Sequence, residues 1–185
     1  MSRIRLAMLL FVASESVFFI LLIIAYAVYH ATSPSAADAS RYLDIPRTGV
    51  FTACLFGSSF TMWRAGINFR TGGRRRRAAN AWLLATIALG AAFLAGQGTE
   101  YASMIRENVI ISRDVFGTTF FTLTGFHGLH VLIGLIMLGT LFGNGLFRRD
   151  AVTRPEAVEG VTIYWHFVDA VWAVIFPVVY LWALR

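Results

Sequence analysis

His166 and Asp169 stand one helical turn apart in YWHFVDAVWAVIFPVVYLW, residues 164–182, with Trp172 a further turn along. Positions i and i+3 are neighbours on one helix face, so an imidazole, a carboxylate and an indole share a stripe. Two chemistries are open to such a pair. One is a proton relay or a lipid-headgroup contact; the other is an interhelical hydrogen bond that fixes packing and contributes about 1 kcal/mol. TGFHGLH (124–130) repeats the spacing with His127 and His130. Two imidazoles on one face can begin a metal site, but such a site needs further ligands and outer partners. His30, near a loop, supplies none of these, and no metal is expected. Gly125, Gly128 and Gly134 point instead to close helix contact. Gln97 and Glu100 form a third i, i+3 pair in GQGTEY (96–101), read as an interfacial polar cluster with Arg106 and Arg113 as candidate partners. Glu15 completes the set, within SESVFF (14–19).

The elements that must carry these groups are apolar. The chain is 57% hydrophobic and 14% charged, with mean hydropathy +0.66, the composition of an integral membrane protein. About 20 apolar residues in a helix cross ~30 Å of hydrocarbon. Five segments meet that length: about 6–29, 48–69, 78–103, 117–142 and 161–184. The expected fold is all-α, one domain over 1–185, a bundle of five transmembrane helices joined by short loops. Arg64, near the end of the second segment, is expected to snorkel to the headgroups.

Charge assigns the orientation. All sixteen cationic side chains are arginines, for a net charge of +6. With the N-terminus inside, eleven fall on inner segments (Arg3, Arg5, Arg64, Arg70, Arg74–Arg77, Arg148, Arg149, Arg154) and five on outer ones. The positive-inside rule then places the N-terminus in the cytoplasm and the C-terminus outside. In this setting Arg74–Arg77 is a topology signal, and no nucleic-acid partner is expected. Cys54 is the single cysteine, which excludes disulfides, thiolate clusters and c-type haem attachment within the chain. A signal peptide has an apolar region of only ~7–15 residues. The N-terminal run is longer and contains Glu15, so it is read as a retained span.

Depth makes the acidic groups costly. By helical rise Glu15 lies about 15 Å beyond Arg5, and Asp169 about 13 Å beyond Gly160. A charged group at such depth costs about 2.5–3.5 kcal/mol on the insertion scale. Each carboxyl must therefore turn to another helix, a wet cleft or a partner subunit, or hold a proton. The similar depths allow the two to meet. Trp63, Trp82, Trp165 and Trp182 fall near span ends, as interfacial belt residues do. Trp172 is deeper, suited to packing or cleft lining, and Pro177 predicts a kink in the final helix.

SESVFF, GQGTEY, TGFHGLHVLIG (124–134) and YWHFVDAVW (164–172), in this order, resemble subunit III of the haem–copper terminal oxidases, the cytochrome c/ubiquinol oxidase family. The resemblance implies a non-catalytic, multi-pass subunit of the bacterial plasma (inner) membrane, in the service of aerobic electron transport and proton translocation. No redox centre would lie in this chain. Haem and copper would belong to its partners, the catalytic subunit I and subunit II, and phospholipids would occupy a V-shaped cleft between helix groups. Glu15 matches the family's membrane-buried carboxylate, associated with carbodiimide labelling and proton uptake. Glu100, His127, His130, His166, Asp169 and Trp172 match positions that shape the cleft and the helix packing. Many members have seven spans; a five-span chain looks like the shorter bacterial form. Two other readings stand beside this one: a homologous subunit of a nitric oxide reductase, and an independent transporter or proton channel built on Glu15, Asp169 and the histidines. A transporter is expected to show paired halves or broken helices, and neither is seen. The electron donor is decided in other subunits.

Overall fold

The computed structural model describes residues 2–32, 43–71, 76–106, 115–147 and 155–182. They form five helices: α1 (Arg3–Thr32), α2 (Ile45–Thr71), α3 (Arg76–Arg106), α4 (Val115–Phe147) and α5 (Pro155–Phe176). Local chemistry sets their starts. The Ser2 hydroxyl accepts the Arg5 N–H at 3.2 Å, and Asp44 Oδ1 accepts the Arg47 N–H at 3.1 Å. Both satisfy donors that a first helical turn leaves free. α5 opens on Pro155, whose missing N–H costs nothing at a first position, with Glu156 beside it to complement the helix dipole. At Pro177 the ladder loses a donor, and the chain continues through a wider, π-helical turn, Pro177–Leu181.

α5 is the centre of the bundle. It packs on α1, α2 and α4, while α2 lies along α3, and α4 touches both α1 and α3. Half of the apolar window of α5 is buried (50%), against 6% for α1. α1 therefore leaves most of its side chains, among them Leu10, Val17, Leu21 and Ile24, exposed. In a bilayer such a face costs nothing, because lipid tails are as apolar as leucine.

Four of the five helices are long and apolar enough to cross a membrane: Arg3–Thr32, Arg76–Arg106, Gly117–Asn144 and Pro155–Leu181. The expected fifth, over 48–69, is corrected. α2 has the length, at 27 residues, but Thr48, Thr52, Ser58, Ser59, Thr61, Arg64 and Asn68 dilute its hydropathy. The hydroxyls are there for the interior: Thr48, Thr52, Ser58 and Thr61 are all buried. The placing of the two termini on opposite sides rested on five crossings and falls with it.

Trp165 is also corrected, from belt to core. α5 begins ten residues before it, so the indole lies about 15 Å into the helix and is fully buried. Its six-membered ring fills a slot between two glycines. A Cβ on Gly90 of α3 would meet it at 2.7 Å, and one on Gly134 of α4 at 2.8 Å. The indole N–H donates to Ser58 Oγ of α2 at 2.9 Å. One side chain thus ties α5 to three neighbours.

Candidate functional site

α1 and α4 bring Glu15 to His130. Glu15 Oε2 and His130 Nε2 are 3.1 Å apart. The other ring nitrogen, Nδ1, lies 2.7 Å from the Phe126 carbonyl one turn back on α4. The Tyr164 hydroxyl of α5 donates to the His130 carbonyl at 3.0 Å. The Phe19 ring meets the imidazole edge-to-face at 4.9 Å between centroids.

His166 and Asp169 of α5 both meet Ser59 of α2. The Ser59 hydroxyl donates to Asp169 Oδ2 and lies 2.9 Å from His166 Nδ1. Asp169 is buried and His166 half-buried. Serine, histidine and aspartate meet here, but in the wrong order for nucleophilic catalysis. A hydrolase needs the imidazole between hydroxyl and carboxylate, so that it can take the hydroxyl proton; here the hydroxyl stands in the middle. Glu15 and Asp169 thus find partners on different helices and do not pair with each other.

His127, one turn before His130 on α4, is packed among aromatic rings. It is fully buried and stacks on Trp172 with centroids 4.7 Å apart and planes at 24°. Phe93 meets it edge-on at 5.9 Å. Neither ring nitrogen has a hydrogen-bond partner. Leaving such a group unpaired costs about 1–3 kcal/mol, of which an aromatic contact returns about 0.5–1.5 kcal/mol. Trp172 is fixed in turn by its N–H, which donates to Thr52 Oγ1 at 3.0 Å. His127 and His130, though one turn apart, thus serve different seams of the bundle.

Glu100 lies in a polar cluster, but its hydrogen-bond partners are not the expected arginines. It is 6% exposed and accepts from Thr48 Oγ1 at 3.1 Å and the Tyr180 hydroxyl at 2.7 Å. Arg106 is exposed and does not reach it; Arg113 lies outside the described residues. One turn down, Gln97 Nε2 donates to the Thr124 carbonyl at 2.7 Å and lies over Gly128, where a Cβ would meet Gln97 Oε1 at 2.9 Å. The sequence reading did not find Thr48, Thr52, Ser59 and Tyr180. A signal was present for three of them. Positions 48, 52 and 59 recur after four and seven residues, which puts three hydroxyls on one face of α2.

Among the described residues no three His, Cys, Asp or Glu side chains gather as a metal site. The arrangement supports hydrogen bonding between helices, directly at Glu15–His130 and through Ser59 at His166 and Asp169.

Comparison with known proteins gives the same family as the motifs. The family model for cytochrome c oxidase subunit III matches residues 1–184. A cytochrome c oxidase subunit 3 from Synechocystis sp. is 35% identical over 93% of this chain and 72% of its own length. A cytochrome bo(3) ubiquinol oxidase subunit 3 from Pseudomonas aeruginosa is also 35% identical, over 93% of this chain and 81% of its own. A probable cytochrome c oxidase subunit 3 from Nocardia farcinica is 33% identical over 93% and 84%. The four motifs, the bundle that joins them and a match across nearly the whole sequence lead to one statement: this chain belongs to the cytochrome c oxidase subunit III family.

Proposed function

We propose that the chain is the accessory third subunit of a respiratory haem–copper terminal oxidase in a bacterial inner membrane. The observation that carries this reading is the match to subunit III over residues 1–184, with relatives named for both cytochrome c and ubiquinol oxidases. Catalysis, haem and copper belong to the partner subunits I and II, and this chain stabilises the catalytic one. The apolar, unburied face of α1 suits lipid or a partner helix. Exposed arginines at the starts of α1 and α3 (Arg3, Arg5, Arg76, Arg77) favour anionic phospholipid headgroups. Glu15 supports proton uptake, and Glu100, His127, His130, His166, Asp169 and Trp172 hold the helices that shape the lipid cleft.

The test is purification of this chain from its native membrane in mild detergent, read by reduced-minus-oxidised haem spectrum, metal content and mass spectrometry. Haem and copper co-purifying with two larger subunits is the expected result. A haem-free preparation of this chain alone would overturn the proposal. Haem with a copper-free catalytic subunit would replace the oxidase with a nitric oxide reductase. Within the complex, Glu15→Gln should leave assembly intact and change the decay of activity during turnover; identical decay would remove Glu15 from proton supply.

A further inference from the structure

α5 is gripped along two lines. Tyr164 and Phe167 meet Phe11 and Phe19 of α1, while His166 and Asp169 meet Ser59 of α2. At 3.6 residues per turn, these lines stand on nearly opposite sides of the helix. The side between them that faces α4 carries Val161, Trp165, Val168 and Trp172, all buried. The other side is an uncovered strip, where Ala170, Ala173 and Val174 are exposed and Ile163 and His166 are half-buried. With α1 and α2 on either hand, the strip is the floor of a trough.

We propose that this trough seats one transmembrane helix of the catalytic partner subunit, which meets His166 Nε2 with a hydroxyl or amide side chain. The identity of the partner rests on the reading of the chain as an oxidase subunit. Ser59 occupies the other ring nitrogen, Nδ1, at 2.9 Å, and among the described residues Nε2 has no hydrogen-bond partner. Whether Nε2 carries a hydrogen or a lone pair, it has one bond to make. A hydroxyl or an amide can supply either half of it.

Depth selects a helix over a lipid. α5 and the turn after it form one apolar run, Pro155–Leu181, so His166 lies about 17 Å from one end and about 23 Å from the other. Lipid headgroups do not reach that level, and acyl tails have nothing to offer a ring nitrogen, so an unmet polar atom there is costly. Shape agrees. Ala170 and Ala173 let a second backbone come close. One turn before Ile163 the strip meets a cavity of about 120 Å³, walled by Trp63 and Gly66 of α2 and by Val158, Glu159 and Thr162 of α5. It is a hole for one knob of the incoming helix. A second copy of this chain is a poor occupant, because two trough floors cannot be laid against each other.

Photocrosslinking in native membranes tests this. Ala170→p-benzoylphenylalanine places a photoreactive ketone in the trough, one turn beyond His166, and leaves the residues bonded to Ser59 in place. After irradiation the complex is purified and its adducts are read by mass spectrometry. The expected product is a crosslink to one transmembrane peptide of the haem-bearing subunit. Phospholipid adducts alone, or crosslinks only to a second copy of this chain, would overturn the proposal. If the variant does not accumulate, Ala173→p-benzoylphenylalanine gives the same reading one turn further on. The crosslinked peptide then names the hydroxyl or amide opposite His166. Removing that group and making His166→Phe should each lower retention of the chain in the detergent-purified complex, and the double variant should be no worse than the worse single one. The Ser59 contact is lost in both His166 variants, so its cost cancels in the comparison. Additive losses would overturn the bond to His166. Haem in the same preparation reports separately on the oxidase reading: lipid adducts in a haem-containing complex would sink this inference and leave that reading standing.

Discussion

Gly134→Ala is the sharpest test of how the bundle is held together. The new methyl would sit 2.8 Å from the Trp165 ring and 3.3 Å from the Tyr164 ring. Neither ring can move freely, because Trp165 is bonded to Ser58 and backed by Gly90. Overpacking of this kind costs about 1–3 kcal/mol, while alanine's helix preference over glycine returns about 1 kcal/mol. Gly139 supplies the control on the same helix, since a Cβ there meets nothing within 4 Å. Gly139→Ala should show only the gain, and the two variants should differ by about 1–3 kcal/mol. At ~2–4 °C per kcal/mol for a chain of this size, the Gly134 variant should melt about 2–12 °C below the Gly139 one. The assay is thermal loss of the subunit from the purified complex, read by native electrophoresis over a temperature ramp. Both substitutions should then be repeated on Trp165→Phe, which removes part of the ring in the slot and shrinks the difference. Equal midpoints for Gly134→Ala and Gly139→Ala would refute the slot as a structural determinant.

Three further outcomes are expected. Asp169→Leu removes the acceptor of Ser59 and leaves the hydroxyl and His166 poorly matched; it should cost about 1–3 kcal/mol and lower subunit retention in detergent, while Asp169→Asn retains more. Glu100→Leu strands the Tyr180 and Thr48 hydroxyls, so it should destabilise more than Tyr180→Phe, which loses a single bond worth about 1–1.5 kcal/mol; the thermal midpoints rank them. Trp172→Phe and Thr52→Val each break the same hydrogen bond, so a double-mutant cycle should show coupling of about 0.5–1.5 kcal/mol. Additive losses would mean that the bond contributes nothing.

What the sequence could tell depended on whether the relevant geometry lies within one helix. His166 and Asp169 share a face because of their spacing, and Glu15 is deep because of its distance from Arg5. Those relations belong to a single element. Which neighbour each group meets is set by how helices rotate against one another, and no spacing encodes that; hence Ser59 and His130 as partners came only from the structure. Glu100 has partners other than the expected arginines for a different reason. Its position along α3 suggests a wet end, but the π-helical turn after Pro177 carries Tyr180 over it, and Thr48 covers it from α2. α2 was misread because length was weighed without its hydroxyls, which are polar to a bilayer and satisfied inside the bundle. Trp165 was assigned from a helix start six residues too late.

The Trp165 slot also imposes an order on biogenesis. Its two walls belong to different helices, Gly90 on α3 and Gly134 on α4, so neither helix alone offers a place for the indole. α5 follows both in the chain, and its other anchors, Ser58 and Thr52, lie on the still earlier α2. During synthesis the receiving surface is thus complete before the helix that fills it emerges. Docking of α5 becomes a checkpoint: it closes only on a correctly paired α3 and α4, and a chain stalled before it would expose an empty groove to the membrane's quality-control proteases.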